Sequence, residues 1–214
     1  GDTATFKSNG TDIDSGNLIV TAGGGITLEV DIITTGNITL NNAVSVVGLG
    51  RIITAGGTIT INAAVTTGST DTNIDLVSPA INVTVNGSIT VTGSGDIVLT
   101  SDSVSLVGGL SGADELTIQP ITATTMGLGG GAGALNLDDT ELALLSDGFS
   151  SITLGRASTT TTTIDTITLS DPVTIFGATA INDASDDPSS NGAVSGASEI
   201  VVGQITLSSN PPNV

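Results

Sequence analysis

Short alternations of aliphatic and polar residues recur along most of the chain, and each one follows a turn residue. Gly36-Asn-Ile-Thr-Leu40, Gly57-Thr-Ile-Thr-Ile61 and Gly87-Ser-Ile-Thr-Val91 are three copies of this cassette. Because side chains of a strand alternate between its two faces, each copy predicts a short strand with one buried face. Such a strand cannot bury its apolar face alone, so neighbouring copies must stack. The pattern therefore predicts an all-β fold, a parallel β-helix or β-solenoid.

Two further short strands separate one cassette from the next. Between Gly36 and Gly57 they are Val44-Ser-Val46 and Ile52-Ile53. Three strands per coil predict a triangular cross-section. A left-handed solenoid needs a strict six-residue period, which the sequence lacks, and parallel crossovers are usually right-handed. We therefore expect a right-handed parallel β-helix.

The strand pattern stops once and then resumes. The segment Gly127–Gly133 is too rich in glycine for packed strands. Asp138 followed by Glu141 predicts a capping box, and Gly148 predicts a helix stop, so we expect one short helix near 138–147. Leu142, Leu144 and Leu145 would form its apolar side. The chain is predicted to begin with an N-terminal cap or inter-subunit segment at 1–15, in which Phe6 covers the first coil. A solenoid at 16–122, a glycine-rich and helical insertion at 123–150, a solenoid continuation at 151–207 and a tail at 208–214 follow.

Composition narrows the classes of protein that fit. The chain has 214 residues, with three phenylalanines, no tyrosine or tryptophan, and no cysteine. The core must consist of aliphatic side chains, and no disulfide framework is available. Three basic residues stand against 21 acidic ones, a net charge of −18. Phosphate backbones and anionic lipids would be repelled, so we expect no nucleic-acid partner and no membrane insertion.

Three stretches of the sequence stand out together, namely Gly24–Leu28 with Thr34–Leu40, then Leu137–Phe149, then Ser151–Arg156. They resemble the repeat region of giant bacterial surface proteins of the filamentous-haemagglutinin type. The resemblance implies a secreted right-handed β-helix used as an adhesin shaft or extracellular fibre, and no catalytic residues. We therefore expect a non-enzymatic, extracellular or cell-surface structural protein. The partners expected for it are copies of itself, stacked head-to-tail in a filament, or the rest of a longer parent chain.

Enzymatic alternatives have little support in the residue inventory. The chain has no histidine and no cysteine, so a Ser–His or Cys–His nucleophile pair cannot form. A calcium-dependent polysaccharide lyase would need a basic residue beside calcium-binding carboxylates. The two arginines, Arg51 and Arg156, each follow a glycine and are typical of charges in turns.

One loop offers oxygen ligands for a metal ion. Asp183, Asp186 and Asp187 cluster in the polar segment 182–197, a setting that suits calcium. The spacing of an EF-hand and that of a calcium-binding repeat are both absent. The shaft itself requires no cofactor, and calcium is the one candidate.

The outward positions of the cassettes are threonines. If the cassettes stack in register, they form one surface ladder of Thr39, Thr60, Thr90, Thr117, Thr153, Thr168 and Thr206. Threonine also simply favours strands. The ladder suggests an alternative function, a ligand-binding solenoid for ice or for a surface polysaccharide.

Overall fold

The computed structural model describes residues 1–7, 16–68, 72–79, 82–181, 193–195 and 200–207. Its first strands are β1 (Ala4–Phe6), β2 (Leu18–Val20), β3 (Ile26–Leu28), β4 (Ile32–Thr34), β5 (Ile38–Leu40), β6 (Val44–Val46), β7 (Arg51–Ala55), β8 (Ile59–Ile61), β9 (Val65–Thr67), β10 (Ile74–Ser78), β11 (Val83–Val85) and β12 (Ile89–Thr90). They are followed by β13 (Ile97–Ser101), β14 (Val104–Leu106), β15 (Leu110–Ser111), β16 (Glu115–Gln119), β17 (Met126–Leu128), β18 (Leu135–Leu137), the helix α1 (Asp139–Leu142), β19 (Ser151–Leu154), β20 (Thr161–Ile164), β21 (Thr166–Thr168), β22 (Val173–Ile181), β23 (Ala193–Ser195) and β24 (Ile200–Leu207).

The strands form three long parallel sheets, and the chain visits them in turn. Sheet A has the order β1-β3-β6-β9-β12-β15, and sheet B has the order β2-β5-β8-β11-β14. Sheet C contains β4, β7, β10, β13, β16, β19, β22 and β24, one strand for each of about eight coils. The described strands β21 and β23 form a further small pair. The predicted all-β solenoid with three strands per coil is thus confirmed, while its right hand stays a prediction.

The core is a column of aliphatic side chains enclosed by the three sheets. In sheet B, Ile38, Ile59 and Val83 are aligned in adjacent strands, and each is 0% exposed. Alternation of inward and outward residues gives six of the three-residue strands, β3, β5, β6, β8, β11 and β14, a buried–partly buried–buried pattern. Each inward side chain therefore contacts its counterparts in the coils before and after it, as the cassettes predict.

The glycine-rich segment contributes a strand, contrary to our expectation. Strand β17 contains Gly127 and pairs with β18 on one side and β20 on the other. A side chain at Gly127 would collide with the backbone oxygen of Gly131. Glycine is needed here because the connection after β17 passes very close to the strand. This connection leads directly to β18, which lies parallel to β17 in the same sheet.

Strand β22 is bent, which lets sheet C become wider. Its first half pairs with β19 and its second half with β20, with a bulge between Ile175 and Ala178. Gly177 lies in the bulge with a φ of +102°, a conformation that other residues rarely adopt. The last described coils therefore depart from the simple three-sided outline.

The predicted helix exists, but it is shorter than 138–147. Asp138 caps it and Glu141 completes the predicted capping box. It ends at Leu142, with Ala143 as its C-cap, whereas Gly148 lies in a later turn with a φ of +127°. The chain leaves the helix early because Leu145 pairs with Leu110 and so extends sheet A by one coil. No helix in the described ranges has the length and apolarity of a membrane span.

The described part of the predicted N-terminal segment, residues 1–7, adds a strand to sheet A. Strand β1 pairs in parallel with β3, and Phe6 packs, half-buried, against the core. Residues 8–15 of that segment and the predicted tail at 208–214 lie outside the described residues.

Candidate functional site

The structure divides the predicted threonine ladder among several sheets. Thr39 and Thr60 are register partners in sheet B, and Thr117 and Thr153 are register partners in sheet C. Thr90 belongs to sheet A. The expected single ladder is therefore corrected to separate rows. The reason is that the coils differ in length, so cassettes of similar sequence lie on different sides of the solenoid.

Sheet A carries the longest row of hydroxyl groups. Six consecutive strands place one outward residue each in register, namely Thr5, Thr27, Ser45, Thr66, Thr90 and Ser111. Only the last two are joined by a hydrogen bond among the described residues, 3.1 Å from the Ser111 hydroxyl to that of Thr90. A shallow groove of about 200 Å³ runs over the beginning of this row and is lined by Gly25, Thr27 and Ser45.

The remaining two threonines lie apart from these rows. Thr168 pairs with Ser195 and lines a cleft of about 260 Å³ with Asp139, Leu142 and Ala143 of the helical region. Thr206 is on β24, where it pairs with Ala180.

Asparagine side chains form a hydrogen-bonded ladder beside sheet B. Asn41 donates from its Nδ2 to the Thr21 hydroxyl over 2.8 Å. Asn62 donates to the Oδ1 of Asn41, and Asn86 donates to the Oδ1 of Asn62, each over 2.7 Å. Each residue directly follows its strand, so the same turn position recurs in successive coils. The ladder links four coils by side chains in addition to the backbone.

Other polar side chains link consecutive coils in the same way. The Oδ1 atoms of Asn17 and Asn37 accept the backbone N–H of the next coil, at Asn37 and Thr58 respectively, over 2.8 and 2.9 Å. Asn73 and Asp96 do the same on the other side of the solenoid. These turns would otherwise leave N–H groups without partners. Their polar residues therefore have a structural role.

Two aspartates fasten loops to the solenoid. Asp102 accepts the N–H groups of Ile121 and Thr122 over 2.9 Å and the Thr122 hydroxyl over 2.6 Å. Partial burial pushes its pKa upward, but these hydrogen bonds and the charge of Arg156 outweigh burial and lower the pKa. Buried Asp171 accepts the N–H groups of Gly148 and Phe149 over 3.0 Å. It holds the turn that follows the helix.

The carboxyl group of Asp75 lies in surroundings that disfavour its charge. It points outward from sheet C between Ile52 and Val98, and its Oδ1 is buried without a hydrogen-bond partner. Burial raises its pKa, and the charges of Asp96 and Asp31 raise it further. No basic residue in the described part of the chain offsets this effect.

Both arginines donate hydrogen bonds to a neighbouring turn, although Arg51 is itself the first residue of β7 rather than a turn residue. Arg51 donates to the carbonyl oxygens of Val47 and Gly50 over 2.9 and 3.2 Å. Arg156 donates from Nε to the Ser158 hydroxyl over 2.6 Å. Neither is paired with a carboxylate in these bonds.

The predicted calcium ligands Asp183, Asp186 and Asp187 lie outside the described residues. In the part of the chain that the structure describes, no three acidic, histidine or cysteine side chains are grouped closely enough to hold a metal ion. The predicted calcium loop therefore stays a prediction.

The asparagine ladder had a signal in the sequence. Asn41, Asn62 and Asn86 each follow an alternating triplet, Ile-Thr-Leu, Ile-Thr-Ile and Val-Thr-Val. An amide that recurs one position after successive strands predicts stacked side chains, because strands in register bring the following residues together as well.

Comparison with known proteins gives no further identification. No family model, no curated protein and no solved structure matches the chain.

Proposed function

We propose that this protein is a non-enzymatic shaft, a stiff segment of an extracellular fibre or adhesin. The observation that carries the proposal is the bonding between coils by side chains as well as by backbone. Asn62 both donates to the previous coil and accepts from the next one. Polar side chains engaged in this way resist separation and sliding of coils, which is what a shaft has to do. The resemblance of the sequence to filamentous-haemagglutinin repeats supports the same role.

The proposal makes one prediction about the shape of the protein and another about its location, and each can be tested separately. Electron micrographs of the purified chain should show straight rods, and coils spaced about 4.8 Å apart give a length of roughly 40 Å for one copy. Antibodies against the protein should label intact producing cells without permeabilisation. Compact particles would refute the rod, and labelling that requires permeabilised cells would refute the extracellular role.

The shaft is extended by pairing at its first coil with another coil, either of a second copy or of a longer parent chain. Strand β1 is the first strand of sheet A. The backbone groups of Ala4 and Phe6 bond to β3. Because alternate residues of a strand bond to opposite neighbours, the backbone groups of Thr5 face the side on which no described strand lies.

A proline at Thr5 tests this pairing. Thr5→Pro removes the outward N–H and leaves the bonds of Ala4 and Phe6 in place. We expect it to shorten filaments of the purified chain, measured by electron microscopy, while Thr5→Ala leaves their length unchanged. Filaments of equal length in both variants would contradict pairing through β1.

A further inference from the structure

The outer surface of sheet B is a regular array of amide and hydroxyl groups. We call it the amide–hydroxyl face. Its three columns, each in register across five coils, are Asn17, Asn37, Thr58, Asn82 and Ser103; Ile19, Thr39, Thr60, Thr84 and Ser105; and Thr21, Asn41, Asn62, Asn86 and Val107. Strand spacing repeats each group about every 4.8 Å along the solenoid axis.

Hydrogen bonds within the face fix the orientation of its side chains. The asparagine ladder holds Asn41, Asn62 and Asn86, and Asn82 donates to the Thr84 hydroxyl over 3.0 Å. Each ladder amide still has an N–H that the ladder does not use, because a side-chain amide carries two N–H groups and its ladder bond uses one. A ligand would meet these groups already ordered, which reduces the entropy lost on binding.

The hydroxyls in the middle of the face are available to a ligand. Thr39 and Thr60 are partly exposed and make no side-chain hydrogen bond to other described residues. They lie between one column that contains Asn37 and Thr58 and another that contains Asn41 and Asn62. The three central coils of the face therefore present hydroxyl and amide groups side by side. This combination can both donate to and accept from a sugar hydroxyl.

Charge and apolar area limit what can bind here. None of the three columns contains an ionisable side chain, although the protein carries a net charge of −18. An anionic partner is repelled by the molecule as a whole, and a cation finds no carboxylate on this face. Its large exposed apolar side chains are Ile19 and Val107, 69% and 64% exposed, at opposite ends. A protein partner would find no apolar centre to bury.

We propose that the amide–hydroxyl face binds a neutral, hydroxyl-rich polysaccharide that lies along the solenoid axis. The chain of sugars takes its hydrogen bonds from successive coils, so that many weak contacts add up along the ligand. The face has no aromatic ring for stacking, and affinity rests on the repeated amide and hydroxyl contacts. This binding would occur whether or not the protein serves as a shaft.

Affinity electrophoresis in native gels tests the proposal with three neutral polymers, hydroxyethylcellulose, a galactomannan and dextran, and with anionic alginate for comparison. We expect at least one neutral polymer to retard the full chain and alginate not to. The double variant Thr39→Val/Thr60→Val removes two central hydroxyls and keeps their shape. It should weaken binding about thirtyfold, since two lost hydrogen bonds at about 1 kcal/mol each amount to about 2 kcal/mol.

The matched control is Thr27→Val/Thr66→Val, which makes the same change on the outer surface of sheet A and should bind like the original chain. Thr60→Asp, which places a charge at the centre of the face, should abolish binding without unfolding the protein, as circular dichroism would show. The proposal is overturned if no neutral polymer retards the chain, if both double variants lose binding equally, or if alginate is bound as well. It is also overturned if light scattering shows that a second copy covers the face and that Thr60→Asp releases it.

Discussion

At the scale of single residues, the polar side chains that link the coils should contribute measurably to stability. Asn62 makes two side-chain hydrogen bonds to neighbouring coils. Asn62→Ala removes both, and at about 1 kcal/mol each it should lower the free energy of unfolding by about 1–2 kcal/mol. Thr66→Ala, at an exposed position of the following strand, is the control and should have little effect. Denaturant unfolding followed by circular dichroism measures both, and equal midpoints would contradict the structural role of the ladder.

Asp75 should make stability fall as pH rises. Its pKa is raised in the folded protein above the usual value of 3.8 by burial, then by Asp96 and Asp31. The folded state therefore binds the proton more tightly than the unfolded state does. This favours folding at pH values below 3.8, and the advantage is lost as pH rises through the folded pKa.

The variant Asp75→Asn should accordingly be more stable than the original chain at pH 7, and the difference should vanish below pH 3.8. Asp147→Asn makes the same change in net charge at an exposed position and controls for general repulsion. Melting temperatures across this pH range provide the measurement. A variant no more stable than the original at pH 7 would show that Asp75 is not penalised in the fold.

The row that each residue joins could not be predicted from the sequence. That Thr39, Thr60 and Thr90 point outward follows from alternation within one strand, and the structure confirms it. Which of them share a row depends on coil length, and coil length is set by turns that have no period. Thr90 therefore lies in sheet A instead of beside Thr60.

At the scale of elements, the short helix protects the last strand of sheet B. Glu141 accepts the backbone N–H of Leu106 on β14 over 2.9 Å and also completes the capping box. Glu141→Ala should free this amide and speed its hydrogen exchange, whereas Glu141→Gln keeps an acceptor and should preserve protection. Exchange measured by mass spectrometry on peptides that contain Leu106 makes the comparison. Unchanged exchange in Glu141→Ala would mean that the helix does not cover the strand.

Strands and the helix start could be predicted because their signals are local. Alternation identifies the strands, and Asp138 with Glu141 identifies the capping box. The end of the helix could not be predicted in this way, because the pairing of Leu145 with Leu110 decides where it stops. Strand β17 could not be predicted for a similar reason, because a contact with another part of the chain decides the matter. Gly127 allows the backbone of Gly131 to approach the strand closely.

At the scale of the whole molecule, damage to one coil should spread to its neighbours. Ile59 is completely buried and aligned with Ile38 and Val83. Ile59→Asp would bury an unpaired charge at a cost of several kcal/mol, and the loss of that coil removes a partner for the coils on both sides. We expect the circular dichroism signal of strands to fall sharply. Thr60→Asp, one residue away and directed outward, should keep it, and similar spectra for the two variants would contradict stacking as the source of stability.

The stacking also determines how the molecule should behave under a pulling force. Most side-chain bonds between the described coils join residues that are only 19 to 25 apart in a chain of 214. Because each coil depends mainly on its neighbours, contacts this close in sequence allow one coil to detach while the coils farther along the chain stay folded. Stretched from its ends in a single-molecule experiment, the protein should lengthen in a series of small steps, each releasing about one coil. A shaft of this kind would yield gradually under load and re-form coil by coil when the load is removed.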